Sequence, residues 1–185
     1  HAGRLIIPCD HTLRGGGARA GFAHVIYSDD HGASWKLGGS SPQPGFNESQ
    51  IAEISGARLM LNMRNSGSKE RTRGVCISDD GGETFADLHH DLALIEPVCQ
   101  ASILRLDDTI KENATTETQR RGDTRGAKID QDNSPRLPPR LNASAVASLL
   151  FANPASKTKR INMTVRLSRD DGATWPIAKT VFAGP

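Results

Sequence analysis

One eight-residue pattern occurs three times in this 185-residue chain and constrains its fold more than any other feature. The pattern is Ser-x-Asp-x-Gly-x-Ser/Thr followed by an aromatic residue, and it occupies residues 28–35, 78–85 and 168–175. The first two copies begin 50 residues apart, and the last two begin 90 residues apart. A repeat of about 50 residues with β-type patterning has the length of one four-stranded propeller blade. The sequence therefore predicts an all-β fold, a β-propeller of four-stranded antiparallel blades.

The larger second spacing has a local cause in the polar stretch at about 107–143. This stretch has almost no apolar periodicity and contains a proline-rich segment. Its removal restores a spacing close to the first one, so we interpret it as an insert that we expect to be disordered. The chain is then part of one propeller domain, with approximate blades at 1–45, 46–96 and 97–185.

We refer to the three copies of the pattern as the acidic turns. Their aspartates could be catalytic, could bind calcium, or could be structural. A calcium loop of the EF-hand kind requires Glu at position 12, and counting from Asp30 this position is Ser41. Catalysis seldom needs three copies of one acid. We therefore predict structural turns, in which Asp accepts backbone N–H groups, Gly takes a positive φ and the aromatic ring folds back onto the blade.

Strands in a four-stranded blade alternate in direction, so residues can be assigned to the two ends of the sheets. Residues 49–54 and 58–64 are predicted strands on either side of a turn at Gly56. Glu48 and Arg64 are equidistant from Gly56, which predicts a cross-strand pair with Cβ atoms roughly 5 Å apart, at the end opposite the acidic turns. Arg160 is predicted to begin a strand at 160–167 and to lie at that same end. The loop predicted to contain Asp10, His11 and residues 15–17 falls there as well.

Composition and charge exclude several classes of function. The net charge of +2 and the scattered arginines argue against nucleic acid binding. The chain has no apolar run of the roughly 18 residues that a membrane-spanning helix needs. Cys9, Cys76 and Cys99 are odd in number and contain no Cys-x-x-Cys pair, so we predict free, mostly buried thiols rather than disulfides or a zinc site. No cofactor and no metal site is predicted.

The ends of the chain carry few signals for targeting. No signal peptide is visible, and the sequence begins with His1 rather than Met, so we expect the true N-terminus upstream. A secreted or periplasmic location is favoured.

Two motif-bearing segments resemble the pattern of sialidases, and the acidic turns resemble the Asp-boxes of that family. The first is Asn47-Glu48-Ser49-Gln50 followed by Leu61-Asn62-Met63-Arg64. The second covers residues 149–156 and continues to Arg160. The resemblance implies a six-bladed propeller that cleaves terminal α-linked sialic acid with retention. It also implies that Glu48 is catalytic and that Arg64 and Arg160 bind the substrate, which would be a sialylated glycan.

The chemistry explains why these residue types suit such a substrate. Sialic acid has a carboxylate on its reacting carbon, and guanidinium groups bind a carboxylate through bidentate, charge-assisted hydrogen bonds. The same carboxylate would repel a carboxylate nucleophile, and sialidases use tyrosine instead. A phenol has a pKa near 10 and needs a neighbouring base, which is the role that the resemblance assigns to Glu48.

The sequence also departs from the family pattern. The family's first arginine, in an Arg-Ile-Pro motif, is absent, and so are the aspartate that follows it and a tyrosine after the third acidic turn. Tyr27 directly precedes the first acidic turn and is predicted to lie at the wrong end. We therefore expect a fragment of an exo-α-sialidase, with an incomplete active site, that is inactive alone. The alternatives are a non-catalytic Asp-box propeller that binds glycans or proteins, and a trans-sialidase.

Overall fold

A computed structural model describes residues 3–15, 18–67, 69–106 and 146–184. Within these ranges the chain forms eleven β-strands and a single 3-10 turn at Ser55–Ala57. The strands are β1 Leu5–Gly15, β2 Ala18–Ser28, β3 Lys36–Ser40, β4 Phe46–Glu53, β5 Leu59–Asn65, β6 Thr72–Ser78, β7 Ala86–Ile95, β8 Ser102–Leu106, β9 Ser148–Pro154, β10 Met163–Ser168 and β11 Ile177–Phe182.

The strands form three antiparallel sheets, each built from consecutive strands. The first sheet has the order β1-β2-β3 in the described residues, the second β4-β5-β6-β7, and the third β11-β10-β9-β8. Neighbours in sequence are therefore neighbours in space. This is the up-and-down connectivity that the repeat predicts for four-stranded blades.

The hydrophobic core lies in two seams between the sheets. In β5, Leu61 and Met63 face the first sheet, and Met60 faces the third, because successive side chains in a strand point to opposite faces. The seam between the first and second sheets contains Ala23, Val25, Phe46, Leu61, Met63, Cys76 and Phe85. The seam between the second and third sheets contains Ala52, Ile54, Met60, Val75, Leu94, Ala101, Ile103, Ala147, Leu149, Phe151 and Trp175. The second sheet is thus buried on both faces.

The acidic turns follow β2, β6 and β10, and each contains the same pattern of hydrogen bonds. In the second turn, the Ser78 hydroxyl donates to Asp80 at 2.8 Å, and Asp80 accepts the backbone N–H of Thr84 at 2.9 Å. Gly82 donates its N–H to the Ser78 hydroxyl and has a φ of +92°. Equivalent bonds are present in the other two turns. The aspartates are therefore committed to the turns, as the structural interpretation predicts.

The aromatic residues that close the acidic turns do not all behave as predicted. Phe85 and Trp175 are buried in the two seams, which agrees with the expectation that the ring folds back. Trp35 instead remains 40% exposed. Trp35 directly precedes β3 of the first sheet. The outer face of that sheet also exposes Leu5 and Ile7, and no further sheet covers this face among the described residues.

The predicted loop at residues 10–17 is wrong in its extent. Asp10 and His11 lie within β1, where they pair with Ala23 and Phe22 of β2. The β1–β2 hairpin stays in register over eleven residue pairs, from Leu5–Ser28 to Gly15–Ala18. Gly15 therefore pairs with Ala18 at the end of a long hairpin, and Asp10 and His11 lie in a strand rather than in a loop.

The predicted insert at 107–143 lies outside the described residues. The strands that flank it are paired, with Leu106 of β8 opposite Ser148 of β9. In β10, Ser168 at the start of the third acidic turn pairs with Leu149, the next residue of β9. The two flanks therefore lie at the acidic-turn end, where the sequence placed them. In the described part of the chain, no helix has the length and apolar character that crossing a membrane requires.

Candidate active site

The β4–β5 hairpin brings Glu48 and Arg64 together. Its register pairs Glu53 with Leu59 and continues to Ser49 with Met63, symmetrically about Gly56, whose φ is +69°. Glu48 Oε1 lies 3.3 Å from Arg64 Nη1. The close pair that the symmetric spacing predicts is therefore present, at the end of the sheet opposite the acidic turns. We call this end the far end.

A β-bulge interrupts the ladder at this pair. The register changes between Phe46, which pairs with Asn65, and Ser49, which pairs with Met63. Bulges re-aim side chains at the edges of functional sites. Here Arg64 Nη1 also reaches Asn47 Oδ1 at 3.5 Å, so the two bulge residues approach one guanidinium.

The exposure of the pair argues against a purely structural role. The side chain of Glu48 is 46% exposed and that of Arg64 is 22% exposed. Ion pairs that are exposed to water contribute only about 0–1 kcal/mol to stability. Both side chains remain accessible to a ligand that approaches from the far end.

Arg160 lies in the loop between β9 and β10 and is exposed. Its predicted place at the start of a strand is wrong, because β10 begins at Met163. Asn162 has a φ of +58°, accepts the N–H of Ala155 at 2.9 Å and donates its own N–H to Ala183 at 2.8 Å, and these contacts hold the loop outside the ladder. The loop still lies at the far end, since Ser168 at the opposite end of β10 begins the acidic turn.

Cys99 lies between β7 and β8 and has a buried, free thiol. Burial raises the pKa of Cys99, and the negative charge of Glu96 raises it further, whereas the positive charges of Arg160, Arg73 and Arg64 lower it. Two guanidinium groups from neighbouring sheets thus act on the same buried thiol. Arg64 lies near the end of β5 and Arg160 lies in the loop after β9, so both belong to the far end, one on the second sheet and one on the third.

A buried ion pair that the sequence did not reveal adjoins this region. Arg73 Nη1 lies 2.8 Å from Glu96 Oε2, and neither side chain has any exposed surface. β6 begins at Thr72 and places Arg73 on the same face as Val75, inside the seam. The alternation of Arg73, Val75 and Ile77 was the signal that could have placed Arg73 on the inner face.

The side chains at the far end can therefore bind a carboxylate and accept a proton. Arg64 and Arg160 present planar donors that can bind a carboxylate by charge-assisted hydrogen bonds. Glu48 places an exposed carboxylate 3.3 Å from Arg64, where it can accept a proton from a neighbouring group.

Comparison with known proteins shows the family of the chain. The family model described as a BNR repeat-like domain matches residues 1–185. The chain belongs to this family. Among curated relatives of this BNR repeat-like domain, a sialidase of Micromonospora viridifaciens is 34% identical over 185 residues, which are 100% of this chain and 23% of that protein. A sialidase of Bacteroides fragilis is 29% identical over 154 residues, 83% of this chain and 22% of that protein.

A solved structure supports the fold of this BNR repeat-like domain. A Hadza microbial sialidase superimposes with a TM-score of 0.69 at 27% sequence identity, over 98% of this chain and 29% of that chain. The prediction of an all-β propeller with antiparallel blades is therefore confirmed, with the described sheets forming an open part of such a propeller. The chain spans less than a quarter of the length of the two curated relatives.

Two other candidate residues of this BNR repeat-like domain, His11 in β1 and Tyr27 in β2, belong to the first sheet. His11 stacks on Phe22 with ring centroids 5.6 Å apart, and His11 Nδ1 lies 3.1 Å from His24 Nδ1, within the first sheet. Burial lowers the pKa of His24, and the charge of His11 lowers it further. Tyr27 is buried beneath Arg4, whose Cζ lies 4.0 Å from the ring centroid, next to the first acidic turn. Tyr27 is therefore not placed to react at the far end.

The cysteines of this BNR repeat-like domain do not pair with one another in the described ranges. Cys9, Cys76 and Cys99 all lie in described ranges and are free, and the last two are buried. The described ranges contain no group of three or more His, Cys, Asp and Glu side chains that could hold a metal ion.

Proposed function

We propose that this chain supplies part of the active site of an exo-α-sialidase, as three consecutive blades at about 1–45, 46–96 and 97–185 of a larger, six-bladed propeller. The observation that carries the proposal is the Glu48–Arg64 pair at 3.3 Å, at the same end of the sheets as the loop that contains Arg160. The curated relatives described above are sialidases, which supports the same assignment.

In this proposal Arg64 and Arg160 bind the carboxylate of a terminal sialic acid on a glycan. Two guanidinium groups from different sheets fix both the position and the plane of the carboxylate, which a lysine could not do. The carboxylate is the feature that separates sialic acid from neutral sugars, so the arginines would determine substrate class.

Glu48 is the proposed base. A tyrosine nucleophile contributed by another part of the propeller would lose its phenolic proton to Glu48 as its oxygen attacks the anomeric carbon. The glycosidic C–O bond would break in the same step, and the leaving oxygen of the aglycone would take a proton from an acid that another part of the propeller contributes. Arg64 holds Glu48 at 3.3 Å and so orients its carboxylate toward the bound sugar. The step needs an exposed acceptor, and the Glu48 side chain is 46% exposed.

The test is the hydrolysis of a fluorogenic sialoside by the full-length protein that carries this chain. We expect Glu48→Gln to lower kcat by about 100-fold or more, because general base catalysis contributes at that level. Glu53→Gln is the matched control, since Glu53 is 49% exposed, lies on the same strand and pairs with Arg105 at 3.7 Å. It should leave kcat unchanged.

Two results would contradict the proposal. Full activity of the Glu48→Gln protein would exclude Glu48 as the base. Binding of sialosides without any turnover by the full-length protein would favour the non-catalytic propeller. The 185-residue chain alone is expected to show no turnover.

A further inference from the structure

The Arg73–Glu96 pair lies beside the proposed site and is closed to solvent. Its Nη1–Oε2 distance is 2.8 Å, and both side chains are 0% exposed. Replacing such a pair by apolar side chains of similar volume is often neutral or stabilising. Stability of the fold is thus a weak reason for a charged pair at this point in the seam.

Arg73 is fixed by several acceptors. Its Nε donates to Asn62 Oδ1 at 2.7 Å, its Nη2 to the Asn62 carbonyl at 3.2 Å, and its Nη1 to the Cys99 carbonyl at 2.9 Å. The charge of Glu48 also acts on Arg73. The guanidinium therefore holds the Glu96 carboxylate in one orientation.

The second oxygen of Glu96 binds the strand that carries Arg64. Glu96 Oε1 accepts the backbone N–H of Asn65, the residue that follows Arg64, at 2.7 Å. The regular β-ladder is interrupted near Asn65 on both sides of β5. The register with β4 shifts between Phe46 and Ser49, and the register with β6 ends at Met63–Gly74. Glu96 thus supplies an acceptor where the ladder is interrupted.

The side chain of Arg64 has fewer contacts than the side chain of Arg73. Its Nη1 contacts Glu48 at 3.3 Å and Asn47 at 3.5 Å, and both of those residues belong to the bulge. Its Nε is buried and has no hydrogen-bond partner among the described residues. The position of the Arg64 backbone is therefore one determinant of where its guanidinium lies.

We propose that Glu96 is a positioning residue for Arg64. It holds the Asn65 N–H and so places the Arg64 guanidinium against the ligand carboxylate. The inference rests on the proposed function for the identity of that ligand. The geometric part concerns Arg64 and Asn65 alone.

Two double variants of the 185-residue chain test this role. Arg73→Met/Glu96→Gln keeps an acceptor oxygen for the Asn65 N–H, whereas Arg73→Met/Glu96→Met removes it. Neither leaves an unpaired buried charge, which a single substitution would do at a large cost in stability. The two variants match in size and in net charge, so a difference between them reports on the acceptor oxygen at residue 96.

The affinity for the α-methyl glycoside of N-acetylneuraminic acid, measured by NMR titration, is the main result. We expect the Glu96→Gln double variant to bind within about threefold of the unmodified chain, and the Glu96→Met double variant to bind roughly tenfold more weakly or worse. Thermal unfolding should occur at similar temperatures in both. In the same samples, the amide of Asn65 should lose its hydrogen-exchange protection, and the Arg64 Nε–H resonance should shift, in the Glu96→Met double variant alone.

Each failure has a distinct meaning. Equal affinities and equal Asn65 and Arg64 signals in the two double variants would overturn the positioning role. Unfolding of either double variant would assign the pair to folding and overturn it as well. Absence of binding by the unmodified chain would show that its residues do not hold the glycoside without the rest of the propeller, and the Asn65 and Arg64 signals would then decide the positioning role; the proposed function is decided separately, by the turnover of the full-length protein.

Discussion

The carboxylate of Asp171 accepts a hydrogen bond at 3.1 Å from the backbone N–H of Ser55, which is 116 residues away in the sequence. The same side chain accepts the N–H of Ala147 at 2.6 Å and bonds to the Ser55 hydroxyl and to Arg58. Burial raises the pKa of Asp171, but these hydrogen bonds outweigh it and lower the pKa below its ordinary value. One side chain of the third acidic turn thus joins the second and third sheets.

Replacing Asp171 should weaken that junction. Asp171→Ala removes the acceptor for two backbone N–H groups, and we expect the free energy of unfolding to fall by about 3 kcal/mol. Asp171→Asn should cost less, because it keeps one acceptor oxygen and because Asn tolerates the φ of +59° at this position. Urea unfolding followed by the fluorescence of Trp175 measures both. An Asp171→Ala chain as stable as the unmodified one would show that the sheets are held together without this contact.

The acidic turns should make the stability of the chain depend on pH below about pH 4. Burial raises the pKa of Asp80, but hydrogen bonds from the Thr84 side chain and N–H and from Ser78 lower it to about 2. The folded state therefore favours the carboxylate. Its stabilising effect is present above the unfolded pKa of 3.8 and is lost as the pH falls from 3.8 to about 2.

Urea unfolding at a series of pH values from 5 to about 2 tests this dependence. Asp80→Asn should be less stable at pH 5 and should lose less stability on acidification than the unmodified chain. Asp79→Asn is the matched control, since Asp79 is the exposed neighbour in the same turn. If Asp80→Asn and Asp79→Asn showed the same pH dependence, the turn hydrogen bonds would not be its source.

Gly74 faces the ring of Phe46, and this contact should not tolerate a side chain. A Cβ at Gly74 would lie 2.2 Å from Phe46 Cε1, and Phe46 is buried in the seam between the first and second sheets. We expect Gly74→Ala to lower the free energy of unfolding by about 1–3 kcal/mol, because overpacking displaces the ring. Gly21→Ala is the control, since its Cβ would meet its nearest neighbour, the Phe46 carbonyl oxygen, at 3.7 Å. Recovery of stability in Gly74→Ala/Phe46→Leu would confirm the ring as the cause.

The sequence predicted the features that depend on spacing alone. The repeat predicted the sheets and the turns. The equal distances of residues 48 and 64 from Gly56 predicted the hairpin register and the Glu48–Arg64 contact. It did not predict the bulge between Phe46 and Ser49, because an alternating pattern defines the faces of a strand and not a local extra residue.

Features that depend on distant partners were missed. The loop containing Arg160 is fixed by the bond from Asn162 to Ala183, and nothing in the residues near 160 indicates that partner. Arg73 and Glu96 belong to different strand ends and meet only when β5, β6 and β7 are aligned, so neither residue suggests the other in the sequence.

Arg64 is expected to bind its ligand through the shape of the guanidinium as well as through its charge. Arg64→Lys keeps the positive charge beside Glu48 but loses the planar, bidentate donor pair. We therefore expect the affinity of the 185-residue chain for the α-methyl glycoside of N-acetylneuraminic acid to fall roughly tenfold or more, while the unfolding temperature changes little. The stability should be preserved because the Glu48–Arg64 pair is partly exposed and contributes little to it.

Arg169→Lys is the matched control for this substitution, because Arg169 is an exposed arginine in the third acidic turn, at the opposite end of the sheets. Its affinity for the glycoside should equal that of the unmodified chain. If Arg64→Lys also bound with unchanged affinity, the ligand would respond to net charge alone, and the far-end arginines would not form a carboxylate site. If both lysine variants bound more weakly to the same degree, the loss would come from a general change in charge distribution. Only a loss confined to Arg64→Lys is consistent with bidentate recognition at the bulge.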